Sequence, residues 1–239
     1  MFHPKGPTFF ELARQALSST ERGYDLLAPK FEYTPFRTPD HVVSAVAAAL
    51  GPPGSLEHAL DICCGTGVGV SFLRPLCRRS VWGIDASAGM LAEARRRLAG
   101  APGTAEIELV RGAVMAMPFE DVFDAATCFG ALGHFPRKEE RAFLDAVRRV
   151  LKIGGRFAFV TSAVPPMLSR RWLFARAFNA AMHVRNALWR PPFVMYYLTF
   201  PLPAIRKTLQ TVGFAVEERP GLFAPPFHSD RLVLATRIR

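Results

Sequence analysis

Residues Ala59 to Gly67 (ALDICCGTG), followed by Val81 to Asp85 (VWGID), constrain this chain more than any other feature. The first run is apolar except for Asp61 and ends in a glycine-rich turn. A short apolar run closed by glycines reads as a buried strand, and Val68 to Cys77 after it reads as a helix. The second run reads as the next strand, and its final carboxylate, Asp85, stands twenty residues after Gly65. A turn that lets a ligand touch backbone, beside an acid at the neighbouring strand tip, makes a nucleoside-binding crevice.

The neighbours of the turn say which nucleoside it takes. A dinucleotide fingerprint requires G-x-G-x-x-G. Gly65 and Gly67 fit, but the third place is Val70, and Gly69 stands one residue early. Asp61, just before the turn, would repel a pyrophosphate. S-adenosylmethionine has no phosphate and carries two cations, an ammonium and a sulfonium. The order Asp61, glycine turn, Asp85 therefore favours that cofactor, with Asp85 accepting hydrogen bonds from the ribose hydroxyls. A nicotinamide-dependent oxidoreductase is the competing reading, disfavoured by Val70 and Asp61.

The chain resembles the class I S-adenosylmethionine-dependent methyltransferases from about Leu56 to Val160, in five ordered blocks. Asp61 to Gly67 is similar to the family's glycine motif and Val81 to Asp85 to its acidic strand. Ala113 to Phe119 (AVMAMPF) resembles the segment before the fourth strand. Phe123 to Phe135 (FDAATCFGALGHF) resembles that strand with its loop, and Arg149 to Arg156 (RVLKIGGR) the turn before the fifth. Two positions depart from the pattern. Cys63 replaces the family's first glycine, and Ala113 replaces an Asp that often bonds the adenine amino group. The resemblance implies cofactor contacts from Asp61, Cys63, Gly65, Gly67, Asp85 and Ala86. It also implies Met90 on one face of adenine, the backbone of Ala113 and Val114 at the adenine edge, and Phe129 and Gly130 near the transferring methyl. Tyr24-Asp25, followed by Ala28-Pro29, resembles the N-terminal segment of quinone-biosynthesis methyltransferases, which places Tyr24 near the methionine end.

The expected fold is α/β: a doubly wound, Rossmann-like sheet of seven mostly parallel strands, the last antiparallel. The strands are read at His58–Cys63, Val81–Asp85, Ile107–Arg111, Asp124–Phe129, Gly155–Thr161, Phe214–Glu218 and Leu232–Thr236. Helices are read at Phe9–Leu17, Asp40–Leu50, Val68–Cys77, Ala88–Ala99, Lys138–Leu151 and Pro203–Val212. A helical cap is expected over residues 1–50 and the cofactor-binding domain over 51–239. The stretch from Tyr24 to Phe36, rich in aromatics and broken by prolines, suits a lid.

Residues 162–202 interrupt the alternation. They read as one amphipathic helix, Ser169 to Trp189, closed by Pro191-Pro192, with a second short helix over Phe193 to Phe200. Leu168, Trp172, Phe174, Phe178, Met182 and Trp189 mix here with Arg170, Arg171, Arg176, Arg185 and Arg190. The segment reads as a substrate lid for a flat or greasy molecule, as a dimer interface, or as a membrane-surface helix.

At 239 residues with half of them hydrophobic, one domain with a sizeable core fits. The +10 formal charge points to nucleic acid, anionic lipid or an acidic substrate, or only to an arginine-rich genome. Neither a membrane span nor a signal-peptide core is read, so a cytoplasmic location is expected. The four cysteines, Cys63, Cys64, Cys77 and Cys128, have no metal-site spacing.

Methyl transfer is an in-line displacement in which alignment and desolvation do most of the work. His134, four residues past Gly130, is the first candidate for general base, with packing as its competing role. His183 is the alternative, and His228, Tyr196 and Tyr197 are further polar candidates. The fourth strand ends Cys128-Phe129-Gly130-Ala131, without the Asn/Asp-Pro-Pro-Tyr run that accompanies methylation of base amines or glutamine amides. The sequence thus points to transfer onto oxygen, carbon or nitrogen of a hydrophobic, aromatic small molecule. A non-catalytic S-adenosylmethionine-binding protein remains open beside it.

Overall fold

A computed structural model describes residues 3–239; Met1 and Phe2, at the start of the expected cap, lie outside the described residues. Seven strands form one sheet: β1 (Leu56–Ile62), β2 (Cys77–Asp85), β3 (Glu106–Arg111), β4 (Phe123–Cys128), β5 (Leu151–Ser162), β6 (Phe214–Arg219) and β7 (Asp230–Arg237). Their spatial order is β3-β2-β1-β4-β5-β7-β6. Strands β1 to β5 pair in parallel, whereas β7 runs antiparallel to both β5 and β6. Chain direction of the ladder reverses beside β1, where β1 leads to β2 on one side and β4 lies on the other. Ligands of open α/β sheets bind at that switch point, outside the carboxyl ends of the strands.

The central strands are buried on both faces, which is why they read as continuous apolar runs. Leu60, Ile62, Phe123, Ala126 and Phe157 face one core, and Ala59, Val81, Ala125 and Ala158 face the other. Helices cover both faces: α3 (Asp40–Leu50), α4 (Val68–Leu73), α5 (Ala88–Leu98), α6 (Glu140–Val150) and α8 (Ala204–Val212). Helix α4 is shorter than expected because Arg74-Pro75-Leu76 tightens into a 3-10 turn, and β2 begins at once with Cys77. Strand β5 is longer than expected. It starts at Leu151 and passes an irregularity in its pairing with β4, close to Gly154 at φ +80°.

Two helices precede the sheet domain besides α3: α1 (Phe9–Ala16) and α2 (Thr20–Leu27), followed by a 3-10 turn over Ala28–Tyr33. Thr8 and Glu11 form a reciprocal capping box on α1, and the Ser19 hydroxyl caps α2. Gly23 lies where α2 crosses α1, since a Cβ there would sit 2.9 Å from Phe193 and 3.0 Å from the Gln15 carbonyl. The insertion holds one long helix, α7 (Arg170–Leu188), capped by the Ser169 hydroxyl.

The second helix expected over Phe193 to Phe200 does not form. Its backbone bonds to side chains instead: Asn179 takes both the N–H and the carbonyl of Tyr197, and Asn186 does the same for Phe193. Leu198 and Phe200 adopt positive φ, at 62° and 51°, which no α-helix accommodates. No described helix is long and apolar enough to cross a membrane.

Candidate active site

The cleft opens at the carboxyl ends of β1, β2 and β4. It encloses about 360 Å³, within the usual range for a small-molecule site. Twelve of the side chains and backbone positions singled out in the sequence line it. These are Tyr24, Asp61, Cys63, Gly65, Asp85, Ala86, Met90, Ala113, Val114, Phe129, Gly130 and His134.

Gly67 stands behind the turn. At φ +90° it begins α4, and a Cβ there would meet Leu98 at 2.9 Å. Its lack of a side chain lets the turn pack closely on α5, and it does not line the cleft. His183 also lies outside the cleft, stacked on Tyr196 with ring centroids 4.7 Å apart. His228, Tyr196 and Tyr197 likewise do not line it. Nor does any residue of 162–202: the N-terminal segment covers the cleft, through Thr20, Tyr24, Phe31 and Phe36. The insertion holds that segment in place. Arg185 donates to the carbonyls of Ala16 and Ser18, and the Val194 N–H donates to the Thr20 hydroxyl.

Asp61 ends up deep in the floor, 1% exposed. It accepts the Thr127 hydroxyl at 2.8 Å and the N–H of Val70 at the start of α4. Gly69 makes the room, since a Cβ there would fall 2.2 Å from the carboxylate. The glycine that stands one place early for a dinucleotide fingerprint is thus explained by Asp61. Burial pushes the Asp61 carboxyl up to about 7, against the lowering effect of its hydrogen bonds. A cation bound beside it favours the ionised form.

Asp85 shapes the turn and faces the ligand space together. Its Oδ2 accepts the Gly65 N–H at 2.9 Å and its Oδ1 the Ser87 N–H at 2.8 Å. Burial raises its proton affinity, and those two backbone bonds lower it. Cys63 occupies the left-handed region at φ 55°, where a side chain costs about 1–2 kcal/mol relative to glycine. Its thiol hydrogen-bonds that of Cys128, and this contact with burial pushes the thiol well above its ordinary value.

Two contacts went unforeseen in the sequence. Asp25 accepts the Ser87 hydroxyl at 2.6 Å and the Gly89 N–H at 2.8 Å, pinning α2 to the start of α5. Its neighbour in the Tyr24-Asp25 pair was the available signal. Glu32 accepts the Thr66 hydroxyl at 2.6 Å and pairs with Arg37 and Arg97, tying the cover to the glycine turn.

Tyr24 and His134 form a pair. The Tyr24 hydroxyl lies 2.8 Å from His134 Nε2, and His134 Nδ1 lies 2.5 Å from the Val194 carbonyl oxygen. A carbonyl only accepts, so Nδ1 carries the proton. Nε2 of the neutral ring is then the acceptor, and Tyr24 donates to it. Burial lowers the His134 pKa below its ordinary 6.5, outweighing the Val194 bond, and keeps the ring neutral near pH 7. Burial, with smaller contributions from Asp85 and Cys63, raises the Tyr24 pKa and keeps its hydroxyl protonated.

The charge of the lining is opposite to that of the chain. Glu21, Asp61, Asp85 and Glu139 line the cleft, and no Lys or Arg does, in a chain of net charge +10. This set suits a ligand that is cationic at physiological pH and lacks phosphates. Among the described residues there is no cluster of His, Cys, Asp and Glu able to hold a metal.

Known proteins resemble this chain in sequence and in fold. Residues 59–155 match the family described as "Methyltransferase domain". Demethylmenaquinone methyltransferase of Shouchella clausii (strain KSM-K16) is 32% identical over 141 residues, which are 58% of this chain and 59% of the relative. The chain thus spans about three fifths of that relative's length. Among solved structures, the DhpI–SAH complex superposes with a TM-score of 0.66 at 19% identity, covering 97% of this chain and 100% of DhpI. Magnesium protoporphyrin IX methyltransferase (ChlM) from Synechocystis PCC 6803, with bound SAH, gives 0.58 at 21% identity and 83% coverage of each chain. At such identities the likeness shows the fold.

Proposed function

We propose that this chain, whose residues 59–155 match the methyltransferase-domain family, is a class I S-adenosylmethionine-dependent methyltransferase that moves a methyl group to a hydrophobic, aromatic small molecule. The observation that carries the reading is the cleft lined by four carboxylates and no basic side chain. A dinucleotide in the same space would add two negative phosphates to that set, in which Glu21 is paired with Arg111 but no basic side chain lines the cleft itself. The apolar part of the lining supports an aromatic acceptor, since Phe31, Phe36, Phe129 and Phe135 all face the cleft. The relatives' printed name makes a demethylated quinol the first acceptor to try.

The bound cofactor supplies an electrophilic methyl on a sulfonium, which becomes a neutral thioether when the methyl leaves. The protein's residues do the rest. Asp61 and the Gly65 turn would hold the methionine end, and Asp85 would accept from the ribose hydroxyls. Met90 and Val114, which line the cleft, would wall the adenine. The N-terminal cover excludes water, so alignment and desolvation supply most of the rate. For a hydroxyl acceptor, the Tyr24 oxygen receives the acceptor's proton as Tyr24 passes its own to His134 Nε2. The acceptor oxygen would take the methyl of bound S-adenosylmethionine as the carbon–sulfur bond breaks, and the relayed proton would rest on the imidazole. His134 is thus the final base and Tyr24 the group that touches the acceptor.

A turnover assay tests this. Formation of S-adenosylhomocysteine is followed with phenols, quinols and lipophilic amines as candidate acceptors. Turnover dependent on an aromatic acceptor is expected. Acceptor-independent background across the panel, with the cofactor bound, contradicts catalysis on this substrate class.

A further inference from the structure

Helix α7 carries apolar side chains on both faces, unlike an ordinary surface helix, which turns its apolar stripe inward and its polar residues to water. Its inward face holds Asn179, Arg185 and Asn186 beside Ala175, Phe178 and Met182. Asn179 brackets the backbone of Tyr197, Asn186 brackets that of Phe193, and Arg185 reaches three backbone carbonyls. A second set of apolar side chains faces out. Leu173, Ala177, Ala180, Val184 and Ala187 follow one another at spacings of four, three, four and three, and all are exposed. That spacing lays them along a single face of the helix. Leu173 is 48% exposed, Val184 57% and Leu188 80%, with Phe174 and Trp189 beside them. Helix α1, tied to α7 through Arg185, adds exposed Phe9 and Phe10. Exposed apolar surface on this scale marks an interaction face.

Charge decides what covers it. From Asp145 to Glu217 the chain has no acidic residue, and α7 is bordered by Arg170, Arg171, Arg176 and Arg190. A second copy docked on this face would bring two arginine-bordered helices together with no carboxylate on either helix to offset them, which costs affinity. A surface of anionic phospholipid offsets them. Apolar side chains then sit at the headgroup boundary, and arginines reach the phosphates.

We propose that α7 docks the protein, lying flat, on an anionic lipid bilayer through its Leu173–Leu188 face. This reading is independent of the chemistry in the cleft.

Co-sedimentation with vesicles tests it, using equal parts phosphatidylcholine and phosphatidylglycerol against phosphatidylcholine alone. The full chain is expected to bind the mixed vesicles about tenfold or more tightly than the neutral ones, and less at high salt. The variant Leu173→Glu/Val184→Glu/Leu188→Glu is expected to lose that binding about tenfold or more. Its melting temperature should stay that of the parent, because all three side chains are exposed. Arg170→Gln/Arg176→Gln/Arg190→Gln, which leaves the apolar face intact, is expected to lose the preference for anionic vesicles. Three results each overturn the proposal: no binding to mixed vesicles, undiminished binding by the glutamate variant, or a dimer in light scattering that the glutamate variant converts to a monomer.

Discussion

Replacing Tyr24 with phenylalanine is expected to cut turnover of a hydroxyl acceptor about 100-fold while cofactor affinity changes by no more than a few-fold. The ring remains to pack against Phe193 and Phe31, so the cover keeps its shape. What is lost is the hydroxyl 2.8 Å from His134 Nε2. His134→Ala removes the proton's final site and is expected to lower the rate by a similar factor. The two losses should not multiply in the double variant, because both break one relay. The pH profile follows from the lowered His134 pKa. A base must be neutral to act, and burial favours the neutral ring. The acid limb of kcat/KM is therefore expected below pH 6.5, with a flat profile near neutrality. Full turnover by Tyr24→Phe, or an acid limb that persists unchanged in His134→Ala, contradicts the relay.

Asp85→Ala is expected to weaken S-adenosylmethionine binding about 100-fold or more. A hydrogen bond to a charged group contributes about 1.5–3 kcal/mol, and two ribose hydroxyls make two such bonds. The same carboxylate also fixes the Gly65 and Ser87 N–H groups, so its removal loosens the turn itself. Asp85→Asn separates these effects. It keeps an acceptor for the turn, removes the charge, and is expected to show an intermediate loss. Calorimetric titration of each variant, with a melting curve to verify folding, reads the difference. Unchanged affinity in Asp85→Ala means that the ribose lies elsewhere.

The parts of the fold legible in the sequence were those set by local pattern. Strands β1, β2 and β4 are buried on both sides, so their apolar runs stand out between turns. Asp40–Leu50 showed the helical period. Long-range packing hid the rest. Helix α2 carries Gly23 in its middle and runs into Pro29, both of which argue against a helix locally. It forms because Gly23 allows the close approach to α1 and Phe193, and because Asp25 anchors it to α5. The Phe193 to Phe200 run has helical composition but spends its backbone bonds on Asn179 and Asn186, which no local pattern reveals.

The site divides in the same way. Asp61, the glycine turn and Asp85 lie within one strand-turn-helix-strand unit, so spacing alone brought them together. Tyr24 and His134 are 110 residues apart and meet only because the cover folds over β4. His134 drew attention for its position past a strand end, and its partners Tyr24 and Val194 are set by tertiary structure alone. The insertion was open to three readings for a physical reason. A mixed apolar and basic composition says that a face is interfacial, but not which way that face points. In α7 it points away from the cleft, so the cover comes instead from the N-terminus.

The most direct test of the charge-reversed cleft is a titration of the unmodified chain with S-adenosylmethionine, run beside NADH and NADPH. Saturable one-to-one binding of the sulfonium compound, with no binding of either dinucleotide, is the expected result. Binding of a dinucleotide in preference to S-adenosylmethionine would contradict the account, because it would mean that phosphates are tolerated where Glu21, Asp61, Asp85 and Glu139 converge.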